Sequence, residues 1–282
     1  MSTSTEGAIR AALDHALDND PRVILLGESV GRLGGVRRTS QGLQDRFGAE
    51  RVVDLPLSES GAVGLAIGLA LGGKRPVVEL SPGAALPARE QIEGELARIA
   101  RTESDFPLPV TLRISRDTLG ELPLSEAEAL ALVEGLTVVA PSSPQDAAGM
   151  LLYATQADGP TVILEGGWGR RATVEMQPST LGAVVAREGT GCTVLAWGDE
   201  VQTALGVPDV EVVDLRVLSP LDVDTLGASI RKTGRVVVLG QGAFAAHVLQ
   251  AATQAAFLHL ESPPALATPS SLATTVQASI TY

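Results

Sequence analysis

The sequence predicts an α/β protein of two domains, each a parallel sheet covered on both faces by helices. Three observations carry that reading. Short apolar runs alternate with segments of helical periodicity, the signature of successive βαβ units. The alternation stops between residues 166 and 181, where Gly, Trp, Arg, Pro and Ser follow one another without apolar periodicity, and it resumes afterwards. With 282 residues, 45% hydrophobic and 19% charged, the chain is long and apolar enough for two cores.

The elements follow in order. In residues 6–17, Ile9, Ala12, Leu13, Ala16 and Leu17 fall on one helix face, with His15 off the stripe. Residues 23–27 (VILLG) read as a buried strand, and a loop with Gly31, Gly34 and Gly35 follows. A short helix is expected at 40–47 and a strand at 51–54. After Ser58-Glu59-Ser60 comes a helix of small residues at 61–72, in which Gly64, Gly68 and Gly72 recur every fourth position and would let another backbone approach closely. Strands at 77–80, 109–114, 137–140 and 161–165 then alternate with helices at 88–100, 125–134 and 144–156. The helix at 125–134 opens on Ser125 and Glu128, spaced like a capping box. In the second domain, strands are expected at 192–197, 210–214 and 235–239, helices at 222–233 and 243–257, and an irregular tail at 263–271. The domain boundaries expected from this pattern are 1–166, a linker at 167–184, and 185–282.

Composition removes several function classes. A net charge of −12 opposes binding to a phosphate backbone, and 3% aromatic residues leave few stacking platforms, so nucleic acid is not an expected ligand. The single cysteine, Cys192, allows no internal disulfide and reads as a buried strand residue. The three histidines, His15, His247 and His259, stand in no metal-ligand spacing, so no protein-bound metal is expected. No apolar run approaches the roughly 20 residues of a membrane span, and the N-terminus lacks the pattern of an export signal. A soluble, cytoplasmic protein is expected.

Two glycine motifs invite a nucleotide reading. Gly31-Arg-Leu-Gly34-Gly35 follows a strand but has neither the G-x-G-x-x-G order nor a Lys-Ser/Thr ending, and Gly240-Gln-Gly242 lacks a third glycine. No G-x-S-x-G elbow accompanies the histidines. Glu59 stands between a strand and a helix N-terminus, at the carboxyl edge where ligands of parallel sheets bind. It can be read as a ligand-facing carboxylate, or with Ser58 or Ser60 as part of a helix cap. The spacing alone leaves both readings open.

A resemblance narrows them. Residues 23–30 (VILLGESV), Gly34-Gly35, 39–43 (TSQGL), 47–48 (FG) and 51–61 (RVVDLPLSESG) resemble the beta subunits of the dehydrogenase component of 2-oxo acid dehydrogenase complexes. The likeness continues in 75–79 (RPVVE), 135–144 (GLTVVAPSSP) with Asp146-Ala147, 213–222 (VDLRVLSPLD) and 232–235 (KTGR), so it spans nearly the whole chain. It implies a pyrimidine-binding domain followed by a transketolase C-terminal-like domain. It implies thiamine diphosphate as cofactor, with Glu59 as the acid that hydrogen-bonds the aminopyrimidine ring and promotes its imino tautomer. The cofactor then serves as the electron sink for decarboxylation of a 2-oxo acid. Glu28, Leu57 and Ser58 are the other positions at the pyrimidine side, Leu57 by packing or backbone and Glu28 by polar contact.

The family's G-D-G…N-N motif for diphosphate and magnesium is absent from this chain. The resemblance therefore implies an alpha-type partner that brings that site, an alpha2-beta2 assembly active only as such, and an acceptor such as lipoamide on an acyltransferase core. A non-catalytic pseudo-subunit and a split transketolase-like enzyme are the alternatives. Four departures from the family pattern stand out. Residues 80–85 (LSPGAA) hold no stacking aromatic, 115–124 hold no histidine, Gly240-Gln241 replaces His-Glu, and Ala157 replaces an acid near the family's potassium loop.

Overall fold

The computed structural model describes residues 2–81, 83, 86–102, 106–115 and 127–282. The chain divides into two compact units, Met1–Thr180 and Leu181–Tyr282.

The first unit opens with β1 (Ser2–Ser4) and α1 (Thr5–Asn19). The Ser4 hydroxyl accepts from the Gly7 N–H at 3.1 Å and caps the helix, while Ile9, Ala12, Leu13, Ala16 and Leu17 all go inside, as their spacing requires. Next come β2 (Val23–Glu28), α2 (Leu43–Phe47), β3 (Val52–Leu55), α3 (Glu59–Leu71) and β4 (Arg75–Leu80). A π-helical segment, Glu90–Ala97, runs into α4 (Arg98–Thr102), followed by β5 (Thr111–Ser115) and a 3₁₀ turn at Ala129–Leu132. The expected start of a helix at Ser125 lies outside the described residues. The unit ends with β6 (Thr137–Val139), α5 (Pro144–Gln156), β7 (Thr161–Glu165) and β8 (Arg171–Thr173).

Six of these strands lie side by side and parallel in the order β6-β7-β5-β4-β2-β3. Their middles are apolar on both sides because helices cover both faces. The order reverses at β2: the chain leaves it toward β3 on one side, crosses back to β4 on the other, and moves away from there. The carboxyl ends of β2 and β4 therefore flank a topological switch point, the crevice where open parallel sheets take ligands. β1 and β8 form a separate antiparallel pair that the apolar pattern did not announce.

The second unit holds β9 (Val184–Arg187), β10 (Thr193–Ala196), the six-residue α6 (Glu200–Leu205), β11 (Glu211–Asp214), β12 (Val217–Ser219), α7 (Val223–Thr233) and β13 (Val236–Leu239). It continues with α8 (Gly242–Ala256), β14 (Ala265–Ala267) and α9 (Leu272–Ile280). Its sheet order is β14-β13-β10-β11-β9, parallel except for β9. The tail expected to be irregular thus contributes a strand, held in register against β13. Cys192 lies in the core with Val194, Val212, Val237 and Val276, and burial pushes its thiol up to about 11. Among the described residues, no helix is long and apolar enough to cross a membrane.

Candidate functional site

The parallel strands of the first unit are apolar until their carboxyl ends, where charge appears. β2 ends on Glu28, β4 carries Glu79 one residue before its end, β5 carries Arg113 and ends on Ser115, and β7 ends on Glu165. Arg113 is 1% exposed and holds the cluster together. Its Nε and Nη2 donate to the two oxygens of Glu165 at 2.7 and 3.0 Å, and its Nη1 donates to Glu79 Oε2 at 3.0 Å. Burial opposes the charge on this guanidinium, but the Glu165 and Glu79 carboxylates more than offset that and keep it protonated. Burial raises the Glu165 carboxyl above its ordinary range against the pull of Arg113, and Glu79 adds to the rise, because two acids share one base.

Glu79 also fixes the glycine-rich loop that precedes α2. It accepts from the Val36 N–H at 3.3 Å and from the Thr39 hydroxyl at 3.0 Å. Asp54 accepts from the Gly31 and Arg32 N–H groups at 2.6 and 3.2 Å. At Gly35, with φ +76°, a Cβ would collide with the Glu79 carboxylate. These backbone donors serve acids, so the loop cannot cradle a phosphate with them. Gly240 has a similarly local reason, since a Cβ there would overlap the Trp197 indole.

Glu59 begins α3 and is half-buried. The cap reading of this segment is not what the structure holds: Ser58 makes no side-chain bond to the helix, and the Ser60 hydroxyl donates instead to the Pro87 carbonyl at 2.7 Å. Glu59 reaches across to the end of β4, where the Ser81 hydroxyl and the Ser81 N–H both donate to its Oε1. Its Oε2 has no partner among the described residues. Leu57 is 69% exposed and Ser58 is exposed beside it. Glu28 and Ser81 line one pocket with Glu79, Arg113, Ser115 and Trp168. The structure thus places Glu28 in this pocket, bonds Glu59 to Ser81 at its edge, and leaves Leu57 and Ser58 exposed in the turn between β3 and α3.

Sequence reasoning missed Ser81, Arg113, Glu165 and Trp168. A usable signal existed for Arg113 and Glu165: a polar residue near the carboxyl end of an otherwise apolar strand. Trp168 has no such signal. Among the described residues its Nε1 and the Ser115 Oγ are buried in the same pocket without a hydrogen-bond partner, and Arg37 stacks over the Trp168 ring at 5.1 Å. Buried donors left unmet in a pocket mark a place for a polar group to bind. They fit the polar edge of a small heterocycle, and Glu59 adjoins the same pocket through Ser81. Among the described residues no group of acids, histidines or cysteines is arranged to hold a metal ion. Half of the stretch where an aromatic is missing, 80–85, lies outside the described residues, as does most of 115–124. At the end of α5, where the resemblance places a potassium loop, Arg75 donates to the Thr155 and Ala157 carbonyls at 3.2 and 2.8 Å.

Comparison with known proteins agrees with this fold. The family described as "Transketolase, pyrimidine binding domain" matches residues 1–84, and "Transketolase, C-terminal domain" matches residues 182–277. A solved split-gene transketolase, an inactive beta4 tetramer, superposes with a TM-score of 0.79 at 19% identity over 99% of this chain and 98% of that one. The fold and these two matches define a chain built of transketolase-type pyrimidine-binding and C-terminal domains. The relatives are more particular. The pyruvate dehydrogenase E1 component subunit beta of Leifsonia xyli is 40% identical, with 91% of this chain and 83% of that protein covered. The corresponding subunit of Bacillus subtilis is 39% identical over 91% and 86%. The 3-methyl-2-oxobutanoate dehydrogenase subunit beta of Mycobacterium tuberculosis is 38% identical over 91% and 80%. The chain belongs to the family of beta subunits of 2-oxo acid dehydrogenase E1 components.

Proposed function

We propose that this chain acts, with an alpha-type partner, in the thiamine-diphosphate-dependent decarboxylation of a 2-oxo acid, passing the acyl group to an acceptor such as lipoamide in a cytoplasmic complex. The observation that carries the reading is Glu59, held by one oxygen to Ser81 beyond the end of β4, with the other oxygen unengaged among the described residues. When bound, thiamine diphosphate supplies the electron sink that lets a 2-oxo acid lose carbon dioxide. This chain's residues position and hold protons. Glu59 Oε2 is placed to share a proton with a ring nitrogen, a contribution worth about 100-fold to 10,000-fold for a positioned acid or base. Glu28 offers a second polar contact from the end of β2, and Leu57 an exposed apolar surface beside it. Diphosphate and magnesium fall to the partner, in keeping with the missing G-D-G…N-N motif. An alpha2-beta2 assembly follows from the family. The exposed side of α3, with Leu65 and Gly68, is the surface that suits it.

The test is co-expression with the alpha-type chain. Calorimetry on the mixed complex with thiamine diphosphate and magnesium should show binding, lost or greatly weakened in Glu59→Ala, with decarboxylation of 2-oxo acids falling at least 100-fold. Unchanged binding and turnover in both Glu59→Ala and Glu59→Gln would overturn the role given to Glu59.

A further inference from the structure

Glu59 could spend its carboxylate elsewhere. It is the first residue of α3, and that helix starts without a side-chain cap. The first-turn N–H groups of an uncapped helix attract a nearby carboxylate, so the local alternative for Glu59 is to turn back onto its own helix. It does not, because Ser81 presents two donors from the opposite side: the hydroxyl, and the backbone N–H at 3.3 Å.

Ser81 is itself in a fixed place. It is the residue after β4 and two positions beyond Glu79, so both side chains leave the strand on the same side. Both line the same pocket. Glu79 is held by Arg113, and Arg113 by Glu165, which ties the end of β4 to β5 and β7 through a buried guanidinium. Thr39 adds a further bond to Glu79. A donor mounted on an anchored strand end can aim its partner, whereas one on a loose loop cannot.

We propose that Ser81 is a positioning residue: its hydroxyl takes up Oε1 of Glu59 and so presents Oε2 to the crevice. The inference rests on the reading of Glu59 as the cofactor carboxylate. It does not make Ser81 a catalytic group, since its hydroxyl reaches Glu59 and acts through it. A purely structural alternative is that the pair only ties β4 to α3. The two differ in what they predict for binding.

The experiment uses the full chain in complex with its alpha-type partner, titrated calorimetrically with thiamine diphosphate and magnesium. Ser81→Ala should raise Kd about 10-fold or more, the loss expected for a hydrogen bond to a charged group. Ser81→Thr, which keeps the hydroxyl, should bring Kd back toward wild type. Combined with Glu59→Gln, Ser81→Ala should have little further effect, because both changes remove the same arrangement. If Glu59→Ala loses binding while Ser81→Ala binds like wild type, Ser81 has no positioning role and the Glu59 reading stands. A lower melting temperature for Ser81→Ala with unchanged Kd overturns the proposal in favour of the structural tie. If Glu59→Ala itself leaves binding intact, the reading of Glu59 fails, and this inference falls with it.

Discussion

Arg113 shows how much one residue can be asked to hold. It neutralises one of two buried carboxylates and shares itself with the other, so removing it strands both. Arg113→Met keeps the length and apolar stem but leaves Glu79 and Glu165 without their cation. It should cost about 3–5 kcal/mol in urea unfolding of the chain, the range for breaking a buried pair by removing one partner. Replacing all three residues by apolar ones should cost much less than that. Little of this was legible beforehand. Glu79 and Arg113 sit in strands read correctly as strands, but period-two reasoning treats a charge at a strand end as exposed. Only the folded sheet shows that three such ends meet. Glu59 was singled out because it stands in a long, ordered motif, and its role rests on the proposed function. The partner that aims it, Ser81, was not, because one serine past a strand carries no signal of what lies opposite.

Among the elements, α7 gives the clearest case of local chemistry setting a boundary. Asp222 accepts from the Thr225 N–H at 3.1 Å and the Thr225 hydroxyl at 2.7 Å, and also from the Ala183 N–H at 3.1 Å. Burial pushes its carboxyl up, but these donors outweigh burial and hold it below the usual range. Asp222→Ala should lose about 1 kcal/mol, read from chemical denaturation near neutral pH. The sign of the pH dependence follows from the lowered folded-state value. The contribution is complete above the unfolded-state value of about 3.9 and disappears as pH falls through the lower folded-state value. In Asp222→Ala this part of the acid loss of stability should vanish. The long amphipathic and capped helices, α1, α5 and α7, were legible for the same reason that they are stable: spacing and caps agree. Of the missed strands, β1, β8, β9 and β14 are three or four residues long, and each is paired on an edge where neighbours rather than pattern decide.

At the scale of the whole molecule, the proposed reading makes this chain one half of an assembly. α3 is apolar from Gly61 to its end, yet only one side of it is buried, and Leu65 and Leu71 remain exposed. A helix that is apolar all round belongs in an interior. A Cβ added at Gly68 would meet nothing within 4 Å in the isolated chain. Gly68→Ala should therefore stabilise the isolated chain by up to about 1 kcal/mol through helix propensity, measured by thermal melting. On the proposed assembly it should also weaken association with the alpha-type partner, measured by sedimentation. Gains in both would mean that another surface makes the pairing. The two-part α/β plan was legible because alternation and its interruption are properties of long stretches. The partner proposed for the pocket is not written in one sequence except as an absence, here the missing diphosphate motif.

The uncapped start of α3 has a consequence for anyone engineering this protein. A first turn without a capping side chain is where stability is cheaply gained, and Ser58→Asp is the substitution a consensus or thermostability screen would favour there. A second acid beside Glu59 would compete for space and charge at the crevice. Selection for a hardier chain would therefore drift toward a rigid protein with a blunted site, and the bare helix end is better understood as a position kept open than as one left unfinished.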